Sequence, residues 1–156
     1  METMRMRGKY TIFSENVKTG EKKTETIHNV LTQPFFDALF GFFDQGISGQ
    51  AADSIDLEYI AIGDGTATAL RADTTLDNET FRKGVSSKSD TDTKYTCVLS
   101  IDAAEGNPTG GYIKEIGVFA DASATPDSGT LVSRANVNVQ KNSNIKLLVK
   151  WELDTI

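Results

Sequence analysis

Asn144-Ile-Lys-Leu-Leu-Val-Lys-Trp-Glu-Leu153 alternates: Ile145, Leu147, Val149, Trp151 and Leu153 share one face, and Lys146, Lys150 and Glu152 share the other. Side chains along a strand point to opposite faces with a period of two, so this segment reads as a half-buried strand. Immediately before it, Leu131, Ser133, Ala135, Val137 and Val139 alternate with Arg134, Asn136 and Asn138, and Gln140-Lys-Asn-Ser143 supplies the hairpin turn. Further upstream, Lys94–Ile101 and Tyr112–Ala120 also read as strands. The Asp102–Gly111 loop, with Asn107-Pro-Thr-Gly-Gly111, joins them, and Asp121–Gly129 leads into the strand at Leu131. Strands spaced at about a dozen residues and joined by polar turns indicate an antiparallel β-sandwich, not a parallel sheet with crossover helices.

Working back toward the N-terminus, Lys9-Tyr-Thr-Ile-Phe13 and Glu25-Thr-Ile-His-Asn-Val-Leu31 flank Lys18-Thr-Gly-Glu-Lys-Lys23, whose Gly20 suits a hairpin turn. The alternation of Tyr10 and Ile12 with Thr11 and Phe13 puts apolar side chains on both faces. Residues 1–31 are therefore expected to form an N-terminal β-hairpin arm, one face covering the core and the other contacting a neighbour. Residues 32–156 form the sandwich, the whole being one structural domain.

Residues 33–45 are the one predicted helix. Thr32 is placed as an N-cap and Pro34 falls in the first turn, where its missing N–H costs nothing. Phe35, Phe36, Leu39, Phe40 and Phe43 follow helical spacing and form one broad stripe, with Asp37, Gly41 and Asp44 opposite and Gly46 as a stop. Burying such a stripe at about 2 kcal/mol per side chain brings roughly 10 kcal/mol before entropy. It serves either as a lid on the sheet or as a contact with another subunit. Ser48–Ser54 is a polar connector to the strand Ile55–Ile62, and residues 66–92 read as a loop pinned to the body by Leu70, Leu76, Phe81 and Val85. Within that loop, Asp77–Lys83 fits a strand lead-in or a short helical turn.

A chain of 156 residues with eight Phe, four Tyr and one Trp can bury a proper core. No apolar run approaches the length of a membrane span, and the N-terminal Met1-Glu-Thr-Met-Arg-Met-Arg-Gly8 lacks the apolar core of a secretory signal, so folding in a cytoplasm is expected. Sixteen basic against twenty-two acidic residues give a net charge of −6, which disfavours unspecific binding to nucleic acid or anionic membranes.

Little in the chain points to chemistry. Cys97 is the single cysteine, expected as a buried strand residue, and excludes an intrachain disulfide. His28 is the single histidine, too few for the usual zinc sites or a catalytic triad. Gly63-Asp-Gly-Thr66 superficially suggests a phosphate loop but lacks the Gly-Lys-Ser/Thr ending. It reads instead as a strand-end turn whose glycines supply positive φ. Asp90 with Asp92, and Asp73 with Asp77 and Glu79, offer carboxylates but not the spacing of a calcium loop. Trp151 shares a face with Leu147 and Val149, which favours core packing over stacking on a sugar. No enzyme, cofactor or metal site is expected.

Tyr59-Ile-Ala-Ile-Gly-Asp-Gly-Thr66, then Thr75-Leu-Asp-Asn-Glu79, then Lys114–Ala120 (KEIGVFA), Gly129–Ala135 (GTLVSRA) and the closing Trp strand occur in an order that resembles small virion proteins of tailed bacteriophages. The resemblance covers roughly residues 27–156. It implies an antiparallel sandwich of jelly-roll or immunoglobulin-like kind with a structural role. The part would be an oligomeric tail, baseplate or collar component that anchors fibres or neighbouring virion proteins, assembled in the host cytoplasm. It implies no nucleic-acid partner and no membrane insertion. Competing classes are a receptor- or host-surface glycan-binding module at a fibre tip, acting through the 66–92 and 102–111 loops, and a head decoration protein. A small hydrolase would need a cleft with converging titratable groups. The residues expected at the assembly interface are Tyr10, Ile12, Phe13, Phe35, Phe36, Phe40 and Phe43.

Overall fold

The computed structural model describes residues 5–48 and 55–156, with side chains at all of these except 43–48. Its elements are β1 (Met6–Asn16), β2 (Lys22–His28), β3 (Val30–Leu31), α1 (Gln33–Ser48), β4 (Leu57–Gly63), β5 (Glu79–Gly84), β6 (Ser87–Asp90), β7 (Lys94–Ile101), β8 (Tyr112–Ala120), β9 (Thr130–Gln140) and β10 (Ile145–Thr155). They form two five-stranded sheets, ordered β2-β1-β10-β7-β6 (sheet A) and β3-β9-β8-β4-β5 (sheet B). The strands pair antiparallel throughout, and the sheets pack face to face as the expected β-sandwich.

The two sheets differ in how they are covered, and the difference is written in their strands. In β10, Ile145, Leu147, Val149 and Trp151 are buried and alternate with exposed or half-exposed residues. In β8, every residue from Glu115 to Ala120 is buried. A strand with water on one side alternates, whereas a strand covered on both sides reads as a near-continuous apolar run. The main core lies between the sheets, where Tyr10, Ile12, Leu99, Val149 and Trp151 meet Ile60, Ile116, Val118 and Val132. A second cluster of Ala61, Leu76, Phe119 and Leu131 lies on the outer side of sheet B, roofed by the 64–78 loop.

Both open edges of the sandwich are bridged by chain that changes sheet. On one side β2 passes through Asn29 into β3. On the other, Val85 N–H donates to Glu58 C=O in sheet B at 2.9 Å, and Ser86 N–H donates to Val98 C=O in sheet A at 2.7 Å. Such crossings keep exposed strand edges short.

The N-terminal hairpin is no arm. Gly20 makes its turn at φ 74, as expected, but β1 pairs with β10 along its whole length, from Met6↔Thr155 to Asn16↔Ile145, and lies inside sheet A. The 66–92 segment also holds more regular structure than expected: β5 and β6 are both strands, and residues 79–84 settle the strand-or-helix ambiguity. Thr32 caps α1, its Oγ1 accepting Phe35 N–H at 3.4 Å and donating to Leu131 C=O. The helix runs through Gly46, the expected stop, to Ser48.

Trp151 is wholly buried, and its Nε1 donates to Asn29 Oδ1 at 3.2 Å. Replacing it with Ala leaves a large void and an unmet acceptor, so Trp151→Ala should cost about 3–5 kcal/mol. Scanning calorimetry should show the melting temperature falling by roughly 10–15 °C; an unchanged temperature would contradict this packing.

Candidate assembly surface

The buried charged groups decide which surfaces are free. Glu115 on β8 has no exposed surface. Its Oε1 accepts Gly65 N–H at 3.2 Å and Asn78 N–H at 2.6 Å, and its Oε2 accepts Asp77 N–H at 2.9 Å. Arg134 on the neighbouring β9 donates to Glu115 Oε2 from Nε at 3.1 Å and Nη2 at 2.9 Å, to Asp73 Oδ2 at 2.6 Å and to Ala67 C=O at 2.8 Å. Burial works against the Arg134 charge, and its hydrogen bonds to Asp73 and Glu115 outweigh that, leaving the pKa above its ordinary value. The Gly63–Thr66 turn is thus drawn down onto one carboxylate. A Cβ on Gly65 would come within 2.4 Å of Glu115 Oε1, and one on Gly63 within 2.2 Å of Asn78 O. These glycines serve close approach; the positive φ expected of them is not found among the positive-φ glycines.

Two further fixings repeat the pattern. Arg82 pairs with Glu79 at 2.5 Å, lies 4.5 Å above the Phe119 ring and donates to Ser123 C=O and Ser128 C=O, each at 3.1 Å. This fastens the 121–129 loop. Lys141 is buried and its Nζ donates to Ala103 C=O at 3.1 Å, Asn107 Oδ1 at 2.6 Å and Asn142 C=O at 3.3 Å, which fastens the 102–111 loop; burial lowers its pKa. The carboxylates weighed for calcium therefore serve separately: Asp73 holds Arg134, Glu79 holds Arg82, and Asp77 Oδ2 accepts the N–H groups of Thr66 and Ala67.

Cys97 is buried on the inner face of sheet A, and burial pushes its thiol up to about 12, so it carries no thiolate near neutrality. His28 is exposed at the edge of the same sheet, opposite Lys9. Trp151 is interior and unavailable to a sugar.

What remains open is the outer face of sheet A. Because Tyr10, Ile12, Cys97, Leu99, Val149 and Trp151 point inward, the residues between them point out. Phe13 and Leu148 face each other across β1 and β10 and are 38% and 42% exposed. Around them lie Thr11, Thr24, Thr26, Val98 and Ser100 on adjacent strands. This face carries six cations (Arg7, Lys9, Lys22, Lys94, Lys146 and Lys150) against three carboxylates (Glu15, Glu152 and Asp154). Three of the ammonium groups converge on Glu152, from Lys9 at 3.3 Å, Lys94 at 3.3 Å and Lys150 at 3.5 Å.

The seven residues expected at the interface separate accordingly. Tyr10, Ile12 and Phe35 are buried in the chain's own core, so they are corrected to core residues. Tyr10 Oη sits 2.6 Å from Ser133 Oγ and ties one sheet to the other. Phe36 is half-buried against the core, with the Arg71 guanidinium 4.5 Å from its ring. Phe13 and Phe40 are at the surface, Phe40 with 58% exposure. The Phe43 side chain lies outside the described residues. The helical stripe is thus partly a lid, through Phe35, Phe36 and Leu39, and partly exposed. Leu148 was not anticipated, although its apolar side chain between Lys146 and Lys150, on the polar face of β10, was the available signal. Glu115 and Arg134 were also missed; they lie 19 residues apart and only strand pairing brings them together.

No family model, curated protein or solved structure matches the chain.

Glu152 provides a pH test of this face. Burial raises its pKa, but hydrogen bonds from Lys9 and Lys94 and the charge of Lys150 outweigh that and hold the carboxyl below its ordinary value. A depressed carboxyl stabilises the fold above its unfolded pKa of about 4.3, and that contribution is lost as pH falls through the folded value. Melting curves from about pH 6 to about pH 3 should therefore show wild type losing more stability than Glu152→Gln, the gap closing in acid. Parallel curves would mean that the lysines contribute nothing there.

Proposed function

We propose that this chain is a structural virion protein of a tailed bacteriophage, an oligomeric component of the tail, baseplate or collar that anchors fibres or neighbouring virion proteins. The observation that carries the reading is the unequal covering of the two sheets. Sheet B is roofed by its own loops, whereas the outer face of sheet A presents Phe13 and Leu148 within a rim of Thr, Ser and Lys side chains. An apolar centre with a polar rim is the usual anatomy of a protein–protein contact. Phe40 and Phe42 on α1 are exposed aromatic side chains as well.

The buried charged residues favour the same reading. Glu115, Arg134, Glu79, Arg82 and Lys141 are occupied in holding three long loops to the body. A catalytic centre needs titratable groups that converge on a cleft and keep capacity for substrate; these groups are engaged with backbone and with one another. Rigid loops and an uncovered face suit a part that is built into a larger particle. The sequence elements that resemble phage virion proteins also include the residues of the Glu115 network: the Gly63–Thr66 turn, Asp77 and Asn78, Glu115 and Arg134.

Mass spectrometry of particles purified from the phage that encodes the chain, followed by image reconstruction, tests the proposal. The chain should be present in stoichiometric amount, and its sandwich should fit density in the tail region in several symmetry-related copies. Absence from washed particles, with the protein left in the lysate, would overturn it.

A further inference from the structure

The geometry points to a specific partner for the open face of sheet A: the loop-covered face of sheet B on a second copy of the same chain, in head-to-tail contact. This inference rests on the assembly reading above and supplies its contact. Charge carries it first. Six cations against three carboxylates leave the open face three positive, on a chain whose net charge is −6, so the rest of the molecule carries nine negative. Glu152 is shared by three ammonium groups, of which only Lys94 also reaches Asp154, at 3.5 Å, and Arg7 and Lys22 have no carboxylate partner among the described residues.

On the far side, the roof of sheet B is acidic: its 64–78 loop carries Asp64, Asp73 and Asp77 against Arg71. Asp77 is exposed and its carboxylate accepts only the N–H groups of Thr66 and Ala67, while Asp64 accepts Asn78 Nδ2. Neither has a cationic partner among the described residues, and the Glu115 network holds both in place. A cationic face and an acidic face on opposite sides of one sandwich complement each other between copies, not within one.

Size agrees. Five strands about 4.8 Å apart and up to eleven residues long at about 3.3 Å per residue span a face on the order of 800 Å², what one partner of a standard interface contributes. A contact between two different faces is heterologous, so it propagates into a ring or a helical stack instead of stopping at a dimer.

Zero-length carbodiimide cross-linking of an equal mixture of unlabelled and ¹⁵N-labelled full chain tests this. The reagent joins an amine to a carboxylate in contact, and mixed-isotope products identify links between copies. Mixed-isotope links from Lys146 or Lys150 to Asp64 or Asp77 are expected. A Leu148→Asp, Lys146→Glu variant should keep its circular dichroism and melting transition yet self-associate at least about tenfold more weakly by sedimentation, as should wild type in high salt. Phe40→Ser should leave association unchanged. Mixed-isotope links confined to α1 or joining two open faces, or a wild-type chain that sediments as a monomer at all concentrations in low salt, would overturn the inference. The virion reading would stand in those cases, because it is judged on the purified particle.

Discussion

One buried carboxylate organises this molecule. Glu115 accepts three backbone N–H groups from the two ends of the 64–78 loop and two more hydrogen bonds from Nε and Nη2 of Arg134. A carboxylate taken out of water is tolerated only when its lone pairs are met, and here they are met by the loop it holds down. The consequence reaches the packing: with the loop in place, Leu76 covers Ala61, Phe119 and Leu131, and the outer side of sheet B becomes a second core. Without it, a sheet whose strands are apolar on both sides would present one of those sides to water. The asymmetry between a roofed sheet B and an open sheet A therefore starts from Glu115.

What the sequence disclosed follows from the range of each interaction. The β10 alternation, the Thr32 cap and the Gly20 turn are local, set by neighbours a few residues away, and the structure has them as read. Tyr10 and Ile12 show the limit of a local pattern. Alternation says that they share a face, and only the pairing of β1 with β10, nearly 140 residues downstream, says that this face is the core. β5 and β6 were hidden because edge strands with charged and hydroxyl side chains carry little apolar periodicity. The Phe-rich helix looked like one stripe, yet its contact with sheet B is short, so Phe35 is buried while Phe40 is exposed. Glu115 and Arg134 were unreadable for the same reason as Tyr10: partners on adjacent strands are chosen by register.

The surfaces follow from the same constraints. Three loops that a binding module would leave adaptable are each fastened by a buried ion pair or lysine, through Glu115, Arg82 and Lys141. Those loops are held to the body, and the surface left uncovered is the outer face of sheet A. The outer face of sheet A keeps its lysines extended over Glu152 and Glu15, with Phe13 and Leu148 between them. An apolar centre within a polar rim is the anatomy of a contact with another folded surface. That physical contrast, between loops spent on rigidity and a sheet face left uncovered, underlies the assembly reading.

The central claim is that Glu115 holds the 64–78 loop as part of the fold. Amide hydrogen exchange at Gly65, Asp77 and Asn78 reports on it directly, since each of these N–H groups donates to that carboxylate. In the wild-type chain all three should exchange slowly, on the scale of global unfolding, and in Glu115→Gln they should exchange faster together while amides of β10 keep most of their protection. Fast exchange at these three amides in the wild type, at rates typical of an open surface loop, would contradict the account.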